Sequence, residues 1–251
     1  MTIFGYRVPM MASLLFWCVA WEIVGRADLI LMFPPFTSVL AAMGELVQAG
    51  NFWTATLSTL KCFALGVGLA ILVGVPLGLL MGRVQAADRL LGMWVNLFVS
   101  APLSALVPVL MILCGMGERT IIVTVFLFAV WIIALDARAG VREIPPSLVE
   151  MGRSYGARGL QLYLKIIVWA ALPEILAGIR VGFIRGVKGV VIGQLLVSII
   201  GYGELFELYS RNFLMEEFWA LTLFLFAFAI LVSELIGVVE KRVEYYAGVR
   251  Q

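Results

Sequence analysis

Along this chain the apolar positions form long blocks separated by short polar connections, with no strand-like alternation. The blocks cover about residues 8–24, 56–82, 93–114, 120–135, 174–200 and 218–239. A helix needs about 20 apolar residues to cross a bilayer, and it satisfies its own backbone polar groups there. The pattern predicts an all-α fold: a polytopic transmembrane helical bundle of about six spans, in a single domain over residues 1–251. Pro102 and Pro108 interrupt the third block, which a membrane helix tolerates where neighbours re-satisfy the freed carbonyls. Phe33-Pro34-Pro35-Phe36 predicts a rigid break, residues 38–48 a short helix at the surface, and residues 115–119 a tight turn. The connection before the last block carries Glu204, Glu207, Glu216 and Glu217 and reads as a turn rich in acids. One connection differs from the rest: residues 138–165 are long, polar and basic.

Composition agrees with a membrane domain. The chain has 251 residues, 63% hydrophobic and 14% charged, with a mean hydropathy of +1.04. About a quarter of a soluble domain is charged, so this chain has too few charges to cover a water-facing globule. It contains no histidine, which excludes His-based catalysis, proton relay and most zinc chemistry. Cys18, Cys62 and Cys114 lie inside apolar blocks without paired spacing, so neither a disulfide framework nor a metal site is expected. No residue reads as catalytic, and no nucleic-acid partner is expected. With six spans, Arg7, Arg83, Arg89, Arg138, Arg142, Arg153, Arg158, Lys165, Lys241, Arg242 and Arg250 fall on one side. Arg26, Arg119 and Arg211 fall on the other, with Lys61 near a boundary. The positive-inside rule then makes both termini and the long connection cytoplasmic.

Within that connection Pro145-Pro146-Ser147 suits a helix start, and Gly156 a stop or sharp bend. The reading is a short helix across the cytoplasmic surface and a second helical piece from Leu160 into the membrane. As a bare charged loop it would be a solvated linker. Its residues, however, resemble a family: Glu150-Met151-Gly152-Arg153-Ser154-Tyr155-Gly156-Ala157, then Tyr163, Ile166-Ile167 and Ala171-Leu172-Pro173, are similar to the EAA loop of binding-protein-dependent ABC importer permeases. Phe33-Pro34-Pro35, Ser100-Ala101-Pro102-Leu103, residues 115–118, Gly140-Val141-Arg142 and Gly201-Tyr202-Gly203 resemble the nitrate/sulfonate/taurine branch. The resemblance implies a permease of the bacterial cytoplasmic (inner) membrane, working as a homodimer or beside a similar chain. It also implies two cytoplasmic ATP-binding subunits and an external or periplasmic solute-binding protein. ATP and magnesium belong to the ATPase partner, and no cofactor is bound by this chain, which has no glycine-rich phosphate loop followed by Lys-Ser or Lys-Thr. Glu150, Gly152, Arg153, Ser154, Gly156 and Ala157 are the expected ATPase-coupling residues, in a helix whose small residues sink into a groove on the partner.

The fifth block holds the candidate translocation residues Arg185, Lys188 and Gln194. Arg185 and Lys188 lie about 16–21 Å along the helix from Glu174, near mid-membrane, and share a face. Arg180, nearer the end, can snorkel to the interface. Cationic side chains at that depth face a bundle interior or water, so the pair either meets carboxylates or helix carbonyls of a neighbouring subunit, Glu22 and Glu234 being the candidate acids, or lines a path for an anion. Gln194 stands where the family commonly has an acid, which favours an anion further. Gly178, Gly182, Gly186, Gly189 and Gly193 in this block, and Gly74, Gly78 and Gly82 in the second, predict close helix packing. The rival function, an ion-gradient-driven transporter or channel acting alone, needs an intramembrane acid site, and acids in the blocks are few. An intramembrane Ser–Lys enzyme would have to use Lys188 and Ser198, too far apart on one helix.

Overall fold

A computed structural model describes residues 2–3, 6–7, 10–27 and 32–247; Val8, where the first block was expected to begin, and Arg250 lie outside them. A two-residue strand pair, Thr2–Ile3 with Tyr6–Arg7, precedes an otherwise helical chain. α1 (Met10–Arg26) is followed by the Phe33–Pro35 break and α2 (Phe36–Gln48). α3 (Gly50–Arg83), α4 (Gln85–Ser100), a 3-10 turn (Leu103–Leu106), α5 (Val107–Cys114) and α6 (Glu118–Arg142) come next. The polar connection holds α7 (Pro146–Ser154), α8 (Gly159–Leu162), a π turn (Tyr163–Ile167) and α9 (Val168–Ala170). α10 (Leu172–Val197), α11 (Tyr202–Arg211) and α12 (Met215–Ala247) complete it.

By length and composition α3 and α6 can each cross a membrane; counting two bent helix pairs as one span each raises the number to four among the described residues. That is short of the six expected. The third expected span, 93–114, is in fact two pieces, α4 and the 103–114 segment, bent by 96°. The cause is local: the ring of Pro102 disfavours helical backbone at Ala101, which is extended at φ −70°, ψ 147°. Pro108 sits in the first turn of α5, where its missing N–H leaves no carbonyl unpaired. The acid-rich turn is also different: it contains α11, whose Tyr202, Leu205, Phe206 and Tyr209 are buried against α2, α3 and α12.

The centre of the fold is α6, wedged between α3 and α10. Glycines permit the approach on both sides. A Cβ on Gly78 would stand 2.3 Å from the Ala134 carbonyl oxygen, and one on Gly74 2.9 Å from that of Val130. Gly82 closes against Val141, and Gly66 against Val125. On the other flank Gly178 meets Asp136, Gly182 meets Ile133, Gly189 meets Phe128 and Gly193 meets Thr124. Gly186 instead faces Val67 and Phe63 of α3. Small residues thus bring backbones together where no water-driven apolar attraction operates between helices. At the α4 end, Asp88 is ion-paired with Arg138, at 2.6 Å, and with Arg142, tying α4 to α6.

Candidate functional site

α7 is a nine-residue helix that Pro146 starts and Gly156 ends. Gly156 takes φ +83°, the Gly156 amide donates to the Arg153 carbonyl at 2.9 Å, and the Ala157 amide donates to the Gly152 carbonyl at 3.0 Å. This is the paired-bond stop in which a left-handed residue satisfies the last free carbonyls of a helix. Beyond it, Arg158 is extended, and the chain turns into α8 and the π turn.

The helix is two-faced. Glu150, Arg153 and Ser154 are exposed, as are Met151 and Tyr155, the latter 87% exposed. Ser154 Oγ donates to the Glu150 carbonyl at 3.0 Å. Gly152 is on the opposite side: it is buried, and a Cβ there would come within 2.2 Å of the end of Ile166 and 2.9 Å of Leu162. The expectation put Gly152, Ser154 and Gly156 together in a partner's groove; Ser154 and Gly156 are exposed, whereas Gly152 seats α7 on the next segment of its own chain. The outward aromatic, Tyr155, is not among the expected coupling residues; its place at the end of the helix, just before Gly156, is the one sequence signal for it.

Arg185 and Lys188 do come together. Both line a cavity of about 290 Å³ whose other wall is the bend of the α4–α5 segment, at Ala101, Pro102 and Ser104. Arg185 Nη1 donates to the Val99 carbonyl at 3.5 Å. Among the described residues no carboxylate lies within ion-pair distance of either cation, although Asp136 on α6 is near enough to interact electrostatically with Arg185. Within the chain neither candidate acid pairs with them: Glu22 accepts from Arg26 at 2.5 Å and from the Thr37 amide at 3.0 Å, and Glu234 is exposed.

Gln194 does not join this pair. Its side chain is 1% exposed and its Nε2 donates to Thr59 Oγ1 at 3.0 Å. Gly201 and Gly203 close over it; a Cβ at Gly201 would stand 2.3 Å from that amide nitrogen. The Gly201-Tyr202-Gly203 motif is therefore a lid on a buried amide. Thr59→Val is expected to lower stability by about 1–3 kcal/mol, the penalty for stranding a buried polar group, with no change in transport KM. A thermal midpoint and an uptake curve check it; an altered KM with an unchanged midpoint would return Gln194 to the path.

Residues 74–245 match the family described as the binding-protein-dependent transport system inner membrane component, more than half of the chain. The chain belongs to this family. Its relatives include the taurine transport system permease protein TauC of Escherichia coli, 30% identical over 190 residues, 73% of this chain and 69% of the relative. The bicarbonate transport system permease protein CmpB of Synechocystis is 26% identical over 226 residues, 84% of this chain and 80% of the relative. A chain of the inward-facing MetNI methionine ABC transporter shares the fold, with a TM-score of 0.65 at 21% identity, covering 74% of this chain and 93% of that one. An amino acid ABC transporter chain does so at a TM-score of 0.60 and 15% identity, covering 94% of this chain and 100% of that one. The protein is a membrane-embedded permease subunit of an ABC importer, a family whose members work with an ATPase and a solute-binding protein. The permease spans the match from the second half of α3 to the last turns of α12, so α7 and the Arg185–Lys188 cavity both lie inside it.

Proposed function

We propose that this permease carries a small anionic solute across a bacterial cytoplasmic membrane, past Arg185 and Lys188, and takes its drive from ATPase subunits docked on α7. The observation that carries the reading is the cavity at the Pro102 bend, with two cations and, among the described residues, no carboxylate within ion-pair distance. A cation inside a bilayer is costly, by about 2.5–3.5 kcal/mol on insertion scales, and an anion in transit offsets that cost. The relatives named for taurine and bicarbonate transport support a solute with an anionic group: taurine carries a sulfonate beside its ammonium group, and bicarbonate is an anion.

α7 supports the coupling reading. Its exposed Glu150, Arg153 and Ser154 fit the charged rim of a docking contact, and Ala157 with Gly156 fixes its end. Two permease chains, identical or similar, with two ATP-binding subunits and an external solute-binding protein make up the proposed assembly. ATP and magnesium stay on the ATPase subunits, and no cofactor sits on this chain. The distribution of arginine and lysine supports cytoplasmic termini.

Lys188→Gln in reconstituted transporter is expected to lower uptake at least tenfold, measured with labelled bicarbonate and taurine and with an uncharged sugar as the neutral solute for comparison. Basal ATP hydrolysis and assembly are expected to stay at the wild-type level. Unchanged uptake, or wild-type preference for the neutral solute, rules the anion reading out.

A further inference from the structure

A second cavity lies away from both features, between the end of α3 and the α8–α9 elbow. It has a volume of about 730 Å³ and is open on one side, within the range of about 300–1,000 Å³ typical of small-molecule sites. Its walls include Pro76, Leu79, Leu80, Tyr163 and Leu164, and its one charged lining residue is Arg83. The Arg83 guanidinium carbon stands 5.6 Å above the Tyr163 ring, a cation–π distance that holds the group at the mouth.

The elbow that forms the cavity has a physical origin. The segment 159–170 meets α10 at 62°, so it runs across the end of α3 instead of continuing α10. The π turn at Tyr163–Ile167 lies within it, and such turns often mark functional places. Leu80, Leu160 and Leu164 are exposed along the opening, and Trp169, 67% exposed, stands just past Val168 of the cavity wall. An exposed tryptophan at the end of a span is an interfacial anchor. Lys165 follows Leu164, and Arg158 precedes Gly159; both are exposed. The cavity is therefore apolar along its walls, with Arg83 as its charged group and two further cations next in sequence to wall residues.

We infer that this cavity binds an anionic phospholipid, with an acyl chain between α3 and the elbow and the phosphate on Arg83. The walls belong to a membrane-crossing helix, so an acyl chain is the apolar occupant at hand. Basic pockets between membrane helices on the cytoplasmic side recognise anionic headgroups, and among the described residues no acid lines this one to oppose them. The exposed face of α7 presents Glu150 and Tyr155 instead, a surface suited to a protein partner. A lipid at the elbow holds it at a fixed angle to α3.

Native mass spectrometry of the assembled transporter, extracted in mild detergent from membranes containing phosphatidylethanolamine and phosphatidylglycerol, tests the inference. The wild-type protein is expected to retain phosphatidylglycerol over phosphatidylethanolamine. Arg83→Ala is expected to reduce that retention at least fivefold, and Arg83→Lys to keep most of it. Leu80→Trp, which fills the cavity with the cation intact, is expected to reduce it as well. Equal retention of both lipids, or wild-type retention in Arg83→Ala, overturns the site. So does a photo-crosslinker at Leu164 that captures an ATPase subunit or a second permease in place of lipid.

Discussion

Gly78→Val is expected to leave little permease that survives extraction as a monodisperse species. The first added carbon alone would stand 2.3 Å from the Ala134 carbonyl oxygen and 2.7 Å from the Ala137 Cβ. Neither atom is the free end of a flexible side chain, and Ala137 is itself fully buried, so α3 must move away from α6 along its length. Overpacking in a core costs about 1–3 kcal/mol and sometimes more; with a backbone atom as the obstacle we expect at least about 3 kcal/mol. Gly68→Ala supplies the contrast on the same helix, because nothing lies within 4 Å of its Cβ position. There the removal of glycine from a helix interior is worth about 0.5–1 kcal/mol in the stabilising direction. Thermal midpoints in detergent decide it: equal losses for both variants would mean that the spacing of glycines, and not their contacts, matters.

Tyr155→Ala is expected to uncouple the permease from its ATPase while leaving the permease itself intact. The side chain is 87% exposed at the end of α7, so no packing within the chain depends on it. Exposed aromatic anchors at docking surfaces commonly contribute 2 kcal/mol or more, which corresponds to about a thirtyfold weaker capture of the ATPase. Uptake should fall with capture, and the thermal midpoint should not move. Wild-type capture by this variant would remove α7 as the docking element. Gly152→Leu behaves differently on the same helix: it strikes Ile166 and Leu162, so its midpoint falls first and any loss of coupling is secondary.

Much of the architecture was readable from residue types alone. Glycines at intervals of four along α3 and α10 marked the faces that close on α6, since only glycine lets backbones meet there. The proline at the start of α7 and the glycine at its end fixed a helix within a single residue or so, because both act through backbone geometry that is local. Other features depend on distant partners. Gln194 reads as a polar residue in a membrane path until Thr59, 135 residues away, is found beside it. Arg138 and Arg142 counted toward the cytoplasmic charge bias, yet both are ion-paired with Asp88 on α4. The bend at Pro102 was visible as a proline, but nothing in the sequence sets its angle. α11 was within reach: Tyr202, Leu205, Phe206 and Tyr209 have helical spacing, which the flanking glutamates obscured.

α6 ends at Arg142, and α7 begins at Pro146 after a three-residue connection. Because α6 is gripped on both flanks by contacts with almost no side-chain cushion, α3, α6 and α10 form a stiff beam. A push on α7 therefore has little slack to be lost in, and reaches three membrane helices at nearly the same moment. Two bends lie outside the beam: the 96° break at Pro102, beside the middle of α6 and α10, and the 62° elbow before α10. The first borders the cavity of Arg185 and Lys188, so the proposed cargo site lies against a broken helix and beside the stiffest packing in the fold.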